Sequence, residues 1–257
     1  MTGSVGITTD GPVAIIELAN APLNLLTRQL RADLRRTAEE VAAESAIRAV
    51  VLKGAGRRSF SAGSDIREFP RTAEAGRVRA VAEHGCYDAI ANLPQPVVAG
   101  LFGHVLGGGL ELALACDIRV ADEDARLGLP EVKLGVFPSG AGTQRLPRVV
   151  SPSRAKLMMF LGETLDAAQA LAVGLVDDVA APGCAHEAAM SLAHRIAGQP
   201  ARAVQAIKKA VAHGLEYGTR AGQTMEVELI GELFTSADAK EGVQAFLDSR
   251  TPTFTHR

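Results

Sequence analysis

Apolar residues fall into short unbroken runs in the first half of this chain and into helical spacing in the second. Val13-Ala14-Ile15-Ile16-Glu17-Leu18 follows the turn Asp10-Gly11-Pro12 and predicts a strand. Thr27 is placed to cap a helix running to about Ala43, with Leu30, Leu34 and Val41 on its apolar side. Ala49-Val50-Val51-Leu52-Lys53, ending in Gly54, suits a parallel strand covered on both faces. A helix from about Thr72 to Asn92 follows, then a buried strand over Gln95-Pro96-Val97-Val98-Ala99-Gly100. A glycine-rich stretch, a short helix to Ala115 and a strand at Ile118-Arg119-Val120-Ala121 complete this half. Strands alternating with helices predict the α/β class.

The pattern changes after Ser151. Ser151-Pro152-Ser153 opens a helix to Leu161, with proline in its first turn. Segments 166–173, 185–197, 201–214, 220–233 and 237–248 read as helices, and only Leu175 to Val179 reads as a strand. The expected division is a core over residues 1–192 and a helical region over 193–257. Two roles fit that helical tail equally: an interaction element, or helices covering their own core.

Composition narrows the class. With 47% hydrophobic and 22% charged residues, the 257-residue chain reads as globular. A formal net charge of -2 gives no electrostatic footprint for nucleic acid. Cys86, Cys116 and Cys184 are widely spaced and offer no disulfide framework, which fits a reducing compartment. The six histidines lack ligand-like spacing, so no metal is expected. No apolar run approaches the roughly 20 residues of a membrane helix. The polar, glycine-containing start does not read as a signal peptide, so the cytoplasm is the expected location.

The candidate chemistry centres on Gly107-Gly108-Gly109-Leu110-Glu111, where an acid opens the apolar run Leu112 to Ala115. A carboxylate in such a run needs a partner or a role. Glycines just before a helix let backbone N–H groups approach a ligand. A second acid, Glu131, follows Pro130 amid mostly apolar residues, where desolvation would raise its pKa. Taken alone, Glu111 also fits a first-turn acid that stabilises a helix, and Glu131 an acid opening a short helix. The small, turn-rich run Ser59-Phe60-Ser61-Ala62-Gly63-Ser64-Asp65-Ile66 can present a backbone N–H, and Asp65 equally fits an N-cap. Gly54-Ala55-Gly56 after a strand suggests a dinucleotide fingerprint, but Ser59 stands where its third glycine belongs.

Phe60 to Phe69, Gly107 to Ala113 with Cys116-Asp117-Ile118, Leu129-Pro130-Glu131, Gly142-Thr143-Gln144-Arg145-Leu146 and Ala239 to Phe246 together resemble the crotonase (enoyl-CoA hydratase/isomerase) family, in order and over nearly the whole chain. The resemblance implies a spiral of repeated ββα units with a C-terminal helical trimerisation region. It implies an acyl-CoA thioester as substrate, with coenzyme A part of that substrate and no separate cofactor. Carried over residue by residue, Ala62 and Gly108 give the oxyanion-hole N–H groups, and Glu111 and Glu131 the catalytic acids. Leu26, Ala62, Gly63, Ser64, Asp65 and Ile66 line the coenzyme A. Having both acids implies hydration of a 2-enoyl-CoA in fatty-acid or related degradation. The alternatives are an isomerase, another CoA-ester lyase or hydrolase, and a non-catalytic CoA-binding scaffold. Homotrimers or hexamers are implied, with no nucleic-acid or membrane partner.

Two departures from the family pattern stand out. Pro138-Ser139-Gly140-Ala141-Gly142 replaces Pro-Gly-x-Gly-Gly, which puts Ser139 beside the expected water and acyl site. Asp248-Ser249-Arg250 lacks the family's lysine at 249, with Arg250 the candidate substitute at the CoA phosphate.

Overall fold

The computed structural model describes residues 3–256. The first half runs β1 (Ser4–Asp10), β2 (Val13–Ala19), α1 (Arg28–Ala43), β3 (Ala49–Gly54), β4 (Ser59–Ser61), α2 (Ala73–Ala91), β5 (Val97–Leu101), β6 (His104–Leu106) and α3 (Gly108–Ala113). It continues through β7 (Ile118–Asp122), β8 (Arg126–Gly128), α4 (Gly142–Val149), α5 (Pro152–Leu161), β9 (Thr164–Asp166), α6 (Ala167–Ala172) and β10 (Asp178–Ala180). Four helices close the chain: α7 (Ala185–Ala197), α8 (Ala201–Tyr217), α9 (Thr219–Leu233) and α10 (Ala237–Leu247).

A six-stranded sheet has the order β1-β2-β3-β5-β7-β10, and a four-stranded sheet the order β4-β6-β8-β9. In the large sheet only β1 runs antiparallel to its neighbour. The path explains both sheets at once. β3, β5 and β7 each hand the chain to β4, β6 and β8, so every turn adds one strand to each sheet before the next helix. This is an α/β spiral of ββα units.

Alternation along β3 separates two cores. Val50 and Leu52 join the larger one with Ile16, Leu34, Phe60 and Ala99. Ala49 and Val51 face the other side with Val13, Val98 and Val120, where α7 lies. Ala185, Ala189, Ala193 and Ala197 recur every fourth residue and are buried, so that helix lies flush on the sheet. The expected boundary at 192/193 falls inside α7.

The expected caps Thr27 and Ser151 are present, and Thr72, expected only as the start of α2, proves to be its cap: each accepts an N–H from the first turn of its helix. Five strands escaped the hydrophobic pattern. β1 is an edge strand with almost every residue exposed, so no buried face marks it. β4, β6, β8 and β9 have three residues each, too few to establish a period. β9 also corrects the expectation of a single strand after Ser151. The strand expected at Leu175 to Val179 is Asp178–Ala180 instead, because Leu175 and Val176 are buried in the preceding loop.

The end of the chain is packed differently. α8 has no buried residue and α9 only Gly222. The two helices reverse at Gly218 and meet closely, so that a Cβ on Gly222 would stand 2.9 Å from the Gly214 Cα. Among the described residues no helix is long and apolar enough to cross a membrane.

Candidate active site

The glycine stretch between β6 and α3 forms the floor of the site. Gly107 has φ 53, which favours glycine, and its N–H donates to the Gly128 carbonyl. A Cβ on Gly109 would overlap the Ser61 carbonyl, so the start of α3 lies directly against β4. The Gly108 N–H has no partner among the described residues. A Cβ on Gly108 would stand 3.2 Å from Ser64 Oγ and 2.9 Å from the Tyr87 hydroxyl, which places all three residues together.

The loop after β4 forms the facing wall, and Asn24 holds it. Asn24 is fully buried, and its Nδ2 donates to the carbonyls of Ala55 at 2.9 Å and Ser59 at 2.8 Å. Its own carbonyl accepts from Ser61 Oγ. This arrangement corrects one expectation. The Ala62 N–H donates to the Leu23 carbonyl at 2.9 Å and is therefore not free to bind a thioester oxygen. The Gly63 N–H is held by Ser61 Oγ. The Ser64 N–H is the one left without a partner among the described residues, next to Gly108.

Both expected acids reach this floor. Glu111 is 3% exposed, and its Oε1 accepts the N–H groups of Gly140 at 2.7 Å and Gly142 at 2.9 Å. Burial pushes its pKa up to about 8, with the Glu131 charge adding and the two N–H groups opposing. Glu131 opens a short 3-10 turn, and its Oε1 lies 3.1 Å from where a Gly107 Cβ would be. Burial pushes its pKa up to about 7, opposed by its own N–H. Its Oε2 is buried without a partner among the described residues. Because the charge on one acts on the other, the two titrate as a pair.

Behind the Ser64 wall lies a polar cluster with no obvious sequence signal. Glu83, on α2, is 2% exposed and pairs with Arg31 at 3.2 Å and Arg79 at 2.8 Å. The Ser64 hydroxyl donates to the same Glu83 oxygen at 3.1 Å. Arg31 also donates to the Leu26 carbonyl at 2.6 Å, which ties α1 to the wall. Tyr87, one turn along α2, is wholly buried, and its hydroxyl has no partner among the described residues. Burial and the Glu83 and Glu111 charges push that phenol well up, so it stays neutral.

The remaining expected residues fall on the same wall. Leu26 is fully buried and pairs its backbone with the loop, taking an N–H···O bond to Gly63 at 2.9 Å. Asp65 is an N-cap that also pairs with Arg67, and Ile66 is 58% exposed. Ser139 lies at the site through its carbonyl, 2.7 Å from His84 Nε2. Arg250 is engaged elsewhere: its guanidinium grips Glu241 in a two-bond fork, so it does not stand free as a substitute for the lysine. Sequence reasoning missed Asn24, Glu83, Tyr87 and His84. It also passed over Ala141, whose φ of 74 marks a position where the family pattern has glycine.

Comparisons with known proteins agree with one another. The family profile described as enoyl-CoA hydratase/isomerase matches residues 8–257. A probable enoyl-CoA hydratase of Bacillus subtilis is 37% identical over 98% of both chains. The short-chain-enoyl-CoA hydratase of Clostridium acetobutylicum is 36% identical, over 96% of this chain and 95% of that one. The crystal structure of an enoyl-CoA hydratase from Bacillus anthracis superposes with a TM-score of 0.94 at 34% identity, covering 99% of this chain and 100% of the other.

Proposed function

The chain belongs to the enoyl-CoA hydratase/isomerase family, and from that footing we propose that it is an enoyl-CoA hydratase, adding water reversibly across the C2=C3 bond of a 2-enoyl-CoA to give a 3-hydroxyacyl-CoA. The observation that carries this is the pair of desolvated carboxyls at one floor, Glu111 buried and Glu131 half-buried with one oxygen sealed off. Between about pH 7 and 8 the pair holds one proton. Burial gives Glu111 the higher pKa, so the resting proton sits mainly on Glu111. The two N–H donors at Glu111 Oε1 favour the carboxylate there, and the partnerless Oε2 of Glu131 favours the neutral acid, so both ease transfer of that proton to Glu131, the form that adds water. One base and one acid at neutral pH are what addition of water requires.

In the forward direction Glu111 takes a proton from water as its oxygen bonds to C3. The C2=C3 electrons move toward the thioester, whose oxygen gains negative charge. The Gly108 and Ser64 N–H groups hold that oxygen, Ser64 taking the place first expected for Ala62. Such donors contribute roughly 10²–10³ in rate each. Glu131 then delivers its proton to C2. The pair finishes with one proton, now on Glu111, and exchange with solvent resets it. Every step runs on protein groups, with coenzyme A entering as part of the substrate along Leu26, Ala62, Gly63, Ser64, Asp65 and Ile66.

We also assign the tail to assembly as a homotrimer or a pair of trimers. Support comes from apolar side chains turned outward on all three last helices, among them Val211, Ile230, Phe234 and Phe246, the last 84% exposed. The free cysteines accord with a cytoplasmic setting. A panel of 2-enoyl-CoA esters of different length, together with a 3-enoyl-CoA, tests the activity by product identification. Formation of 3-hydroxyacyl-CoA is expected. A double-bond shift as the main reaction would make the protein an isomerase instead, and tight CoA binding without turnover would make it a scaffold.

A further inference from the structure

Ser139, the departure noted in the sequence, acts through its main chain. Its carbonyl lies 2.7 Å from Nε2 of His84 on α2. A carbonyl oxygen only accepts, so Nε2 carries the proton and donates. The same peptide unit ends in the Gly140 N–H, which donates to Glu111 Oε1 at 2.7 Å. One rigid amide plane is thus held at both edges, by His84 at its oxygen and by Glu111 at its hydrogen. Rotating that plane breaks both bonds together. Hydrogen bonds in series through an amide polarise one another, so the His84 bond strengthens the donor aimed at Glu111.

The stretch needs such a hold. Gly140 has no Cβ to restrict its rotation. Ala141 stands at φ 74, a left-handed conformation that is strained for a non-glycine residue. Left unpinned, this segment has less strained backbone angles open to it, and the aim of the Gly140 N–H is then free to drift.

We propose that His84 is a positioning residue, which locks the Ser139–Gly140 peptide so that its N–H fixes Glu111 in the orientation that takes a proton from water. The proposal rests on Glu111 as the base of the hydration reaction. Its test compares wild type with His84→Leu and His84→Gln, by crotonyl-CoA kinetics, thermal melting and hydrogen–deuterium exchange of segment 138–144. His84→Leu should lower kcat about tenfold, as expected for one lost hydrogen bond, with KM within about twofold. His84→Gln, which keeps a neutral N–H at similar reach, should recover most of that loss. Exchange in the segment should quicken in the leucine variant and return toward wild type in the glutamine variant. Wild-type kcat in His84→Leu, or unchanged exchange, overturns the proposal. So does a loss shared equally by both variants together with a matching fall in melting temperature. If wild type hydrates no 2-enoyl-CoA, the assignment of Glu111 fails on its own, and exchange alone then decides whether His84 holds the peptide.

Discussion

The ββα spiral and the helical tail obey opposite packing rules. In the spiral, apolar strands are covered on both faces, and even charged groups such as Glu83, Arg31 and Glu111 are sealed in with partners. In the tail, α8 buries no residue and turns Ile207, Val211 and Leu215, one helical turn apart each, toward a cleft of about 850 Å³ against α4 and the core. The acids, the wall and the floor of the site all come from the spiral. The difference teaches that the proposed catalytic groups are brought together by the packing of the spiral, whereas the tail leaves apolar side chains exposed.

The sharpest way to break this division is to strip chemistry from the spiral without touching the tail. Glu131→Gln should lower turnover by a factor on the order of 10² or more, with circular dichroism and sedimentation unchanged. A variant with near wild-type turnover sinks the acid assignment. A change in sedimentation would show that the two regions are not separable.

Next in size is the response to pH. With the pair pushed up to about 7 and about 8, the singly protonated form dominates only between those values. Below them both acids hold protons and the base is lost; above them the acid is lost. kcat/KM should therefore be bell-shaped, falling about tenfold per pH unit well outside each limb. Tail variants should leave both limbs in place, and a limb that moves in them would tie the tail to the site.

The converse break is in the tail. Replacing Ile230 with Glu and Phe234 with Asp should abolish assembly in sedimentation velocity and make the melting temperature independent of protein concentration. Unchanged sedimentation would remove the tail's assigned role.

The smallest effect sharpens the comparison inside the spiral. Glu111 binds its proton more tightly folded than unfolded, since its pKa rises from 4.5 to about 8. Stability from this group therefore falls as pH rises through that window. Glu111→Gln keeps an acceptor for Gly140 and Gly142, so its melting temperature should gain on wild type between pH 5 and about pH 8. A constant difference across that range would show that the carboxyl is not held in the dry state its burial implies.

How much of this was legible follows from the range of each signal. α1 and α2 were readable because Thr27 and Thr72 cap them within three residues. β3, β5 and β7 were readable as apolar runs, since a doubly covered strand needs no polar face. The triple glycine and both acids were visible as chemistry out of place, and the family pattern gave them roles. The three-residue strands of the small sheet carry no period. The wall's supports act over long gaps: Asn24 reaches Ser59 across 35 positions and His84 reaches Ser139 across 55. Nothing local marks such a residue, and α2 buries only four of its side chains, Glu83 and Tyr87 among them. The misplaced oxyanion donor has the same origin. Only the fold reveals that the Ala62 N–H points back to Leu23 while Ser64 faces Gly108.

Ala141 carries a consequence for how this sequence can drift. Its left-handed φ of 74 is strained for alanine and relaxed for glycine. Glycine has more freedom to lose from the unfolded chain, which offsets only part of that strain. A change of Ala141 to glycine would therefore relax the fold at this position. What alanine offers in exchange is a narrower range of backbone angles beside the amide aimed at Glu111.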